Sequence, residues 1–381
     1  MKFKQTGLLW QLLRAQTAII IIASVAGCFG GAAKPKPAEL QPVTALVSAR
    51  QSWTTRIGPV NFPLQATVAA GTVAVASSDG LLALLDAQTG RDIWRVELKT
   101  ALAAGIGSDG KLAAVVTRDN EVVAVQNGRE IWRQKLNAQA FTSPFVAGGR
   151  VFVLAADRSV SAFDAQSGTR LWMQQRPTEP LVLRQSGVIL AVGDTLVVGL
   201  SGRLAGLNPG NGSVRWEVPI ASPRGINDVE RLVDLVGPVS RHGDTVCTRA
   251  FQANIGCVNT ARGSLLWTKP AGGVGGLSGD DRFLFGTESD GTVVSWQRSD
   301  GERGWTTDRL RYRGLTAPLL AGRSLAIGDA TGFIHLLSRD DGSLLNRLNT
   351  DGSAIAAAPV LAGNTLIAVT RNGGIYAFQP E

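Results

Sequence analysis

Residues 85–94 read LDAQTGRDIW, and residues 163–172 read FDAQSGTRLW. Each segment has an Asp at a turn, a Gly four residues later and a Trp four residues after that. An Asp that opens a turn accepts backbone N–H bonds, and Gly adopts φ > 0 without steric cost. The flat face of Trp suits packing between repeats. Each segment therefore predicts a tight turn followed by an outer strand.

The Trp position recurs about every 40 residues, a period that indicates a propeller or solenoid. Around it the chain offers four short antiparallel strands per repeat, which is typical of a propeller blade. The position is held by Trp53, Trp94, Trp132, Trp172, Trp216, Trp267, Trp305 and Asn346. After Asn346 the chain ends before a further outer strand, and the segment around Trp53 supplies one. We predict an all-β, eight-bladed β-propeller over residues 43–381 whose N-terminal strand completes the last blade. Seven blades is the alternative if Asn346 marks a degenerate repeat.

The N-terminus has the layout of a secretion signal, with basic residues before a short apolar run at 17–26. That run is too short to cross a bilayer. Residues 25–28, VAGC, resemble the bacterial lipobox, which implies a triacylated Cys28. An ordinary signal peptide with an incidental Cys is the alternative. We predict a signal peptide over 1–27 and a lipidated Cys with a semi-extended tether over 28–42. Phe29 after the Cys implies sorting to the outer membrane, with the chain facing the periplasm.

The charge and the cysteines limit the classes of function. The net charge of +8 falls to about +5 without the three basic residues before Cys28, and no basic block suggests nucleic-acid binding. With Cys28 acylated, Cys247 and Cys257 remain on two adjacent strands. A cross-hairpin disulfide and two reduced buried thiols both agree with this placement. A catalytic dithiol is not predicted, because the spacing is not C-x-x-C.

Two connections are longer than the others, at 177–187 and 221–242. Both join an outermost strand to the innermost strand of the next blade, so both emerge on one face. Long loops on a rigid scaffold often carry function. Leu181, Leu183 and Arg184 in the first loop have the composition of a protein-binding hot spot. Packing of the two leucines onto the blade edge is the alternative.

The repeat resembles the pyrroloquinoline-quinone (PQQ) type over nearly the whole mature chain. A lipobox ahead of eight such blades is similar to the BamB family, lipoproteins of the outer-membrane β-barrel assembly (BAM) machinery. Residues 181–184, LVLR, resemble the family's Leu-x-Leu-Arg, and residues 230–234, ERLVD, resemble its acidic-Arg-Leu-x-Asp. The resemblance implies docking on the POTRA domains of BamA, beside other BAM subunits, and contact with nascent outer-membrane proteins. The residues it assigns to docking are Leu181, Leu183, Arg184, Arg231 and Asp234.

One position departs from the family pattern. The second Asp of the family is Val236 here, so the interface is expected to depend more on the first loop. An internal ion pair of Asp234 with Arg231 or Arg184 is an alternative to its partner contact, and such a pair contributes little if exposed.

A PQQ-dependent dehydrogenase is the alternative function, because those enzymes share the repeat. Their chemistry needs PQQ, a Ca²⁺ held by oxygen ligands and a general base. The inner strands here are small and apolar, and the vicinal Cys pair that such enzymes have is missing from the sequence. His242 and His335 are isolated, and no Ser has a nucleophile-elbow context. We predict a non-enzymatic scaffold with no catalytic, metal-binding or cofactor-binding residues.

Overall fold

The computed structural model describes residues 35–175, 181–224, 226–228 and 231–381. The chain divides into two compact units, Met1–Pro37 and Ala38–Glu381, and every strand of the described residues lies in the second. The predicted signal peptide and Cys28 lie outside the described residues. No helix among those residues is long and apolar enough to cross a membrane.

The described residues form 32 strands in eight four-stranded antiparallel sheets. The chain opens with β1 (Ala49–Arg56), which belongs to the last blade. Blades 1 to 4 consist of β2 (Thr67–Ala69), β3 (Thr72–Ala76), β4 (Leu81–Asp86), β5 (Asp92–Glu97); β6 (Gly107–Ser108), β7 (Leu112–Val116), β8 (Glu121–Gln126), β9 (Arg129–Lys135); β10 (Phe145–Ala147), β11 (Arg150–Leu154), β12 (Val160–Asp164), β13 (Arg170–Gln174); β14 (Ile189–Val192), β15 (Thr195–Leu200), β16 (Arg203–Leu207) and β17 (Val214–Pro219). Blades 5 to 8 consist of β18 (Leu235–His242), β19 (Thr245–Ala250), β20 (Asn254–Asn259), β21 (Ser264–Pro270); β22 (Ser278–Gly279), β23 (Phe283–Thr287), β24 (Val293–Gln297), β25 (Arg303–Thr307); β26 (Leu319–Ala321), β27 (Ser324–Gly328), β28 (Phe333–Ser338), β29 (Leu344–Asn349); β30 (Val360–Ala362), β31 (Thr365–Val369), β32 (Gly374–Pro380) and β1.

The ends of the chain meet in blade 8. Strand β1 pairs antiparallel with β32, from Ala49 opposite Pro380 to Arg56 opposite Gly374. The sheet order is β1-β32-β31-β30, so the N-terminal strand is the outer strand of the last blade. This confirms the predicted eight blades and their closure, and it excludes the seven-bladed alternative.

The strands inside each blade are covered on both faces by neighbouring blades. Every residue of β3 (TVAVA) is buried, as is every residue of β7 (LAAVV). Outer strands contain partly buried and exposed residues, because they lie at the rim of the ring and are less covered by neighbouring blades. A continuous apolar run bounded by turns is the pattern of a strand that is buried on both sides.

Each Trp of the repeat packs on the turn glycine of the following blade. A Cβ atom added to Gly168 would lie 2.7 Å from the Trp132 ring, and one added to Gly90 would lie 2.4 Å from Trp53. Both glycines have positive φ, near +70°. The indole N–H of Trp132 donates to the carbonyl of Ala165 in the same turn, at 2.8 Å. The Gly and Trp of the repeat therefore join adjacent blades, whereas the Asp bonds within its own turn.

Asn346 replaces Trp at the closure for a geometric reason. Blade 7 faces blade 8, where no turn leads from the third strand into the outer strand because the two come from opposite ends of the chain. There is consequently no turn glycine for an indole to cover. The Asn346 side-chain N–H instead donates to the carbonyl of Val47, just before β1, at 2.8 Å.

One face of the ring carries the connections between blades and the turns between the second and third strands. We call it the loop face; it includes residues 117–120, 157–159, 181–188, 231–234, 308–314 and 329–332. The second long connection was predicted to extend to residue 242, and this is wrong, because β18 begins at Leu235. Its pairing with β19 is irregular between Val236 and Ser240, and the Gly237-Pro238 step there obscures the strand pattern.

Candidate partner-binding surface

Asp234 joins the two long connections of the loop face. It is the last residue before β18, and its carboxylate reaches across to the first connection. One oxygen accepts the backbone N–H of Leu183 at 2.9 Å, and the other accepts Nη2 of Arg158 at 3.1 Å. Its own carbonyl accepts the N–H of Phe251 at 3.0 Å, which fixes the start of β18. This carboxylate thus links the two loops.

Arg158 supports this arrangement from below. It comes from the turn between β11 and β12 and has φ of 59°. Its side chain is 9% exposed and that of Asp234 is 16% exposed, so solvent screens this ion pair much less than a surface pair. Arg158 Nη2 also lies 3.4 Å from the carbonyl oxygen of Leu181. Arg158 was not predicted as a site residue. The signal for it in the sequence is a long cationic side chain in a turn on the same face as the two long connections.

The first connection presents its apolar and charged side chains differently. Leu181 is 39% exposed and points outward, whereas Leu183 is partly buried and lines a cleft below the loops. Arg184 is exposed, and its guanidinium carbon lies 5.8 Å from the centre of the Phe141 ring. A cation at this distance from an aromatic face is attracted to it. The loop therefore offers one exposed leucine beside one oriented arginine.

The cleft beneath the loops is small. It encloses about 50 Å³ among Phe141, Leu154, Leu183, Asp234 and Val236. That volume holds a few water molecules. The cleft therefore seats the loops on the blades rather than accommodating a molecule of PQQ's size.

The remaining residues of the second connection differ in exposure. Arg231 is exposed, and its backbone N–H donates to the carbonyl of Asn227 at 3.2 Å. Val236, at the position where the family pattern has its second Asp, is 1% exposed and belongs to the inner strand β18. A buried Val on an inner strand packs in the core, so this position is not part of the accessible surface here.

Cys247 and Cys257 lie directly opposite each other on β19 and β20. Their Cα atoms are 4.0 Å apart and their sulfur atoms are bonded. Both residues are fully buried, and Arg298 Nη1 lies 3.2 Å from the sulfur of Cys247. The disulfide ties together the two central strands of blade 5, the blade that begins directly after Asp234.

His335 is a strand residue in β28 and is fully buried. Its Nε2 lies 3.0 Å from Oδ2 of Asp329, which also accepts Nε of Arg313 at 2.8 Å. Burial raises the pKa of Asp329, but hydrogen bonds from His335, two backbone N–H groups and Arg313 outweigh it and hold the pKa well below its usual range. Burial lowers the pKa of His335 despite the hydrogen bond to Asp329. This cluster is part of the core of blade 7, and the described residues contain no group of three or more His, Cys, Asp or Glu arranged to hold a metal ion.

Comparison with known proteins assigns the chain to a family. A family model described as outer membrane protein assembly factor BamB matches residues 50–307. A protein of that name from Burkholderia pseudomallei (strain K96243) is 36% identical over 369 residues, which covers 96% of each chain. Another from Bordetella pertussis (strain Tohama I) is 33% identical over 379 residues, with 98% of each chain covered.

The fold has a counterpart among solved structures. The crystal structure of BamB from Moraxella catarrhalis matches with a TM-score of 0.79 at 23% identity, covering 87% of this chain and 100% of that one. At this identity the likeness concerns the fold alone. The sequence matches extend over nearly the whole chain and agree with the eight-bladed ring. The chain therefore belongs to the family of outer membrane protein assembly factor BamB.

Proposed function

We propose that this chain is a non-enzymatic scaffold of the outer-membrane β-barrel assembly machinery that docks through its loop face on the POTRA domains of BamA. Membership of a family of outer membrane protein assembly factors supports a role in outer-membrane protein assembly. The alignments cover nearly the full length of relatives with this name, which favours a scaffold over the quinoprotein alternative.

The cross-loop bonding of Asp234 is the observation that carries the proposal. A surface loop that is flexible in the free protein loses entropy on binding, which reduces affinity. Here one carboxylate fixes the backbone of Leu183 and is itself fixed by Arg158. Leu181 and Arg184 are thus held in place before a partner arrives. An exposed apolar anchor with a neighbouring Arg is typical of a binding hot spot.

We assign different roles to the docking residues. Leu181 and Arg184 contact the partner, and Arg231 contributes charge at the edge of the same surface. Leu183 and Asp234 act mainly by holding the first loop against the blades. A leucine that fills a cleft and a carboxylate that is largely shielded from solvent are better suited to support than to direct contact.

The location follows from the family and from the N-terminal sequence. We propose outer-membrane association through acylated Cys28 after removal of residues 1–27, with a tether over 28–42 and the propeller, 43–381, in the periplasm. Three acyl chains hold a soluble domain on a membrane durably, since each buried CH₂ contributes about 0.8 kcal/mol. Other BAM subunits and nascent outer-membrane proteins are further partners in this proposal.

A pull-down from detergent-solubilised membranes tests the docking surface. The variant Leu181→Ala with Arg184→Ala removes two exposed side chains from the loop. Its matched control, Leu266→Ala with Arg262→Ala, removes an exposed leucine and an arginine from blade 5, away from the loop face. We expect the loop variant to lose at least tenfold in BamA recovery and the control to retain it. Equal recovery by both variants, with unchanged folding, contradicts the assignment.

A further inference from the structure

The segment ahead of β1 is bound to the propeller rather than hanging free. Residues 38–47, which we call the strap, run along the outer side of blade 7. Near the strap's middle, Arg347 Nη2 donates to the carbonyl of Gln41 at 3.1 Å. Leu40 is partly buried against an apolar cluster that contains Phe285 and Leu310. The strap and the predicted tether overlap at residues 38–42.

The first end of the strap is bound at the loop face. The N–H of Ala38 donates to the carbonyl of Arg311 at 2.9 Å, and Nη1 of Arg313 donates to the carbonyl of Ala38 at 3.0 Å. Arg313 is buried and also bonds Asp329 and Thr331, so its position is fixed from the core. Arg311 and Arg313 belong to the connection before β26, and the two residues that bond Arg313 belong to the turn between β27 and β28. Both segments lie on the loop face.

The second end lies toward the opposite face of the ring. The N–H of Leu46 donates to the carbonyl of Leu345 at 2.8 Å, near the start of β29. Asn346 donates to the carbonyl of Val47 at 2.8 Å. Strand β29 begins at the opposite face and ends at the loop face, so the strap descends beside it in the antiparallel direction. Asn346, which departs from the Trp pattern, therefore forms part of the strap's binding site.

We infer that the strap fixes the point at which the lipidated terminus leaves the propeller, at Ala38, and thereby holds the loop face toward the lipid surface. The inference rests on the proposed acylation of Cys28. Nine residues, 29–37, separate that Cys from Ala38, and a fully extended chain spans at most about 3.5 Å per residue, or about 32 Å. If the strap were free, 20 residues would separate Cys28 from Ala49 at the other face, with a reach of about 70 Å. The strap therefore halves the distance by which Cys28 can lie from the propeller, and it places the start of that distance at the loop face.

Energy transfer to labelled lipid measures which face lies near the membrane. Full-length lipidated protein is reconstituted into phosphatidylethanolamine–phosphatidylglycerol vesicles that carry a headgroup acceptor. A donor is attached at Asp119→Cys on the loop face or at Gln166→Cys on the opposite face, both exposed and both remote from blade 7. A blade strand of about six residues is about 20 Å long. We expect transfer from position 119 to be about twofold more efficient than from position 166.

A variant with a weakened strap tests whether the strap is what holds the loop face toward the lipid. Leu40→Ser with Asn346→Ala weakens the strap without touching Arg313, whose loss would leave buried Asp329 without one of its partners. We expect this variant to equalise transfer from the two positions. Equal transfer in the unmodified chain, or stronger transfer from position 166, overturns the inference.

Hydrogen exchange tests the strap without the membrane. The amides of Ala38 and Leu46 both donate hydrogen bonds, so we expect their exchange to be at least a hundredfold slower than that of the Lys36 amide. Exchange at equal rates overturns the inference while leaving BamA docking intact. A mass spectrum of Cys28 without acyl chains also overturns it. In both cases the pull-down with the loop variant still reports separately on the proposed function.

Discussion

Arg158→Met and Asp234→Asn, alone and combined, test whether the two long connections are held by one carboxylate. Met retains an unbranched apolar side chain in place of the aliphatic part of Arg158 and removes the guanidinium charge. Asn keeps the shape of Asp234 but replaces one of its two acceptor oxygens with an NH₂ group, which cannot accept a hydrogen bond. Either the Leu183 N–H or the Arg158 guanidinium then loses its bond.

The expected cost lies between two limits. Breaking a fully buried pair costs about 3–5 kcal/mol, and an exposed pair contributes about 0.2–1 kcal/mol. With 9% and 16% of the two side chains exposed, we expect each single substitution to lower the free energy of unfolding by about 2 kcal/mol. The double variant should lose much less than the sum, with a coupling of at least about 1 kcal/mol.

Urea denaturation of the mature chain gives the free energies, and titration against the BamA periplasmic region gives the affinities. We expect each single variant to bind at least fivefold more weakly, because the loop that carries Leu181 and Arg184 is no longer held. Asp92→Asn is the matched control, since the Asp92–Arg95 pair is 42% and 27% exposed on an outer strand. Its cost should stay below about 0.5 kcal/mol. Additive losses of stability, or full affinity in both single variants, would refute the reasoning.

Three further predictions concern the stability of the ring, each measured by urea denaturation. Trp132→Ala should lower the free energy of unfolding by about 3–5 kcal/mol, because it removes an inter-blade contact and the hydrogen bond to the next turn. Gly168→Ala should lower it by at least about 1 kcal/mol, since the φ of Gly168 is +71° and the added Cβ would meet Trp132. Unchanged stability of the Gly168 variant would contradict the inter-blade contact. Burial lowers the pKa of His335, so below pH 6.5 the unfolded chain takes up a proton that the native chain does not. The free energy of unfolding should therefore fall from pH 7 to pH 5. His335→Gln should reduce this pH dependence, and an unchanged pH dependence would assign it to other groups. Replacing Cys247 and Cys257 together by Ala should lower the free energy of unfolding by about 2.5 kcal/mol, because a closed loop of about ten residues is lost. If neither the replacement nor a reductant changes the stability, the disulfide contributes nothing to it.

The sequence predicts the ring well because its repeat encodes contacts between blades. The Trp and Gly of each unit meet across a blade boundary, so their regular spacing gives both the number of blades and the missing outer strand. The position of Asn346 looks like a defect in the sequence and is explained only by the closure, where no turn exists to receive an indole.

The support of the two long connections was not predictable in the same way. Arg158 and Asp234 are 76 residues apart. Their contact joins a turn of blade 3 to the connection between blades 4 and 5, and neither segment has a repeating pattern. Leu183 and Leu181 are two residues apart, yet one faces the cleft and the other faces solvent. The start of β18 was missed because Gly237-Pro238 interrupts its alternation. Irregular segments take their conformation from what they pack on, which local sequence does not specify.

The pairing of β1 with β32 has a consequence for biogenesis. A chain exported from its N-terminus releases β1 first, yet the partner of β1 emerges last, some 320 residues later. Contacts of such sequence separation form slowly, because the intervening chain must first be ordered. Until then β1 has no sheet to join and exposes a hydrogen-bonding edge. Loss of the final eight residues, 374–381, would remove β32 from the blade, leave β1 without its partner and open the ring.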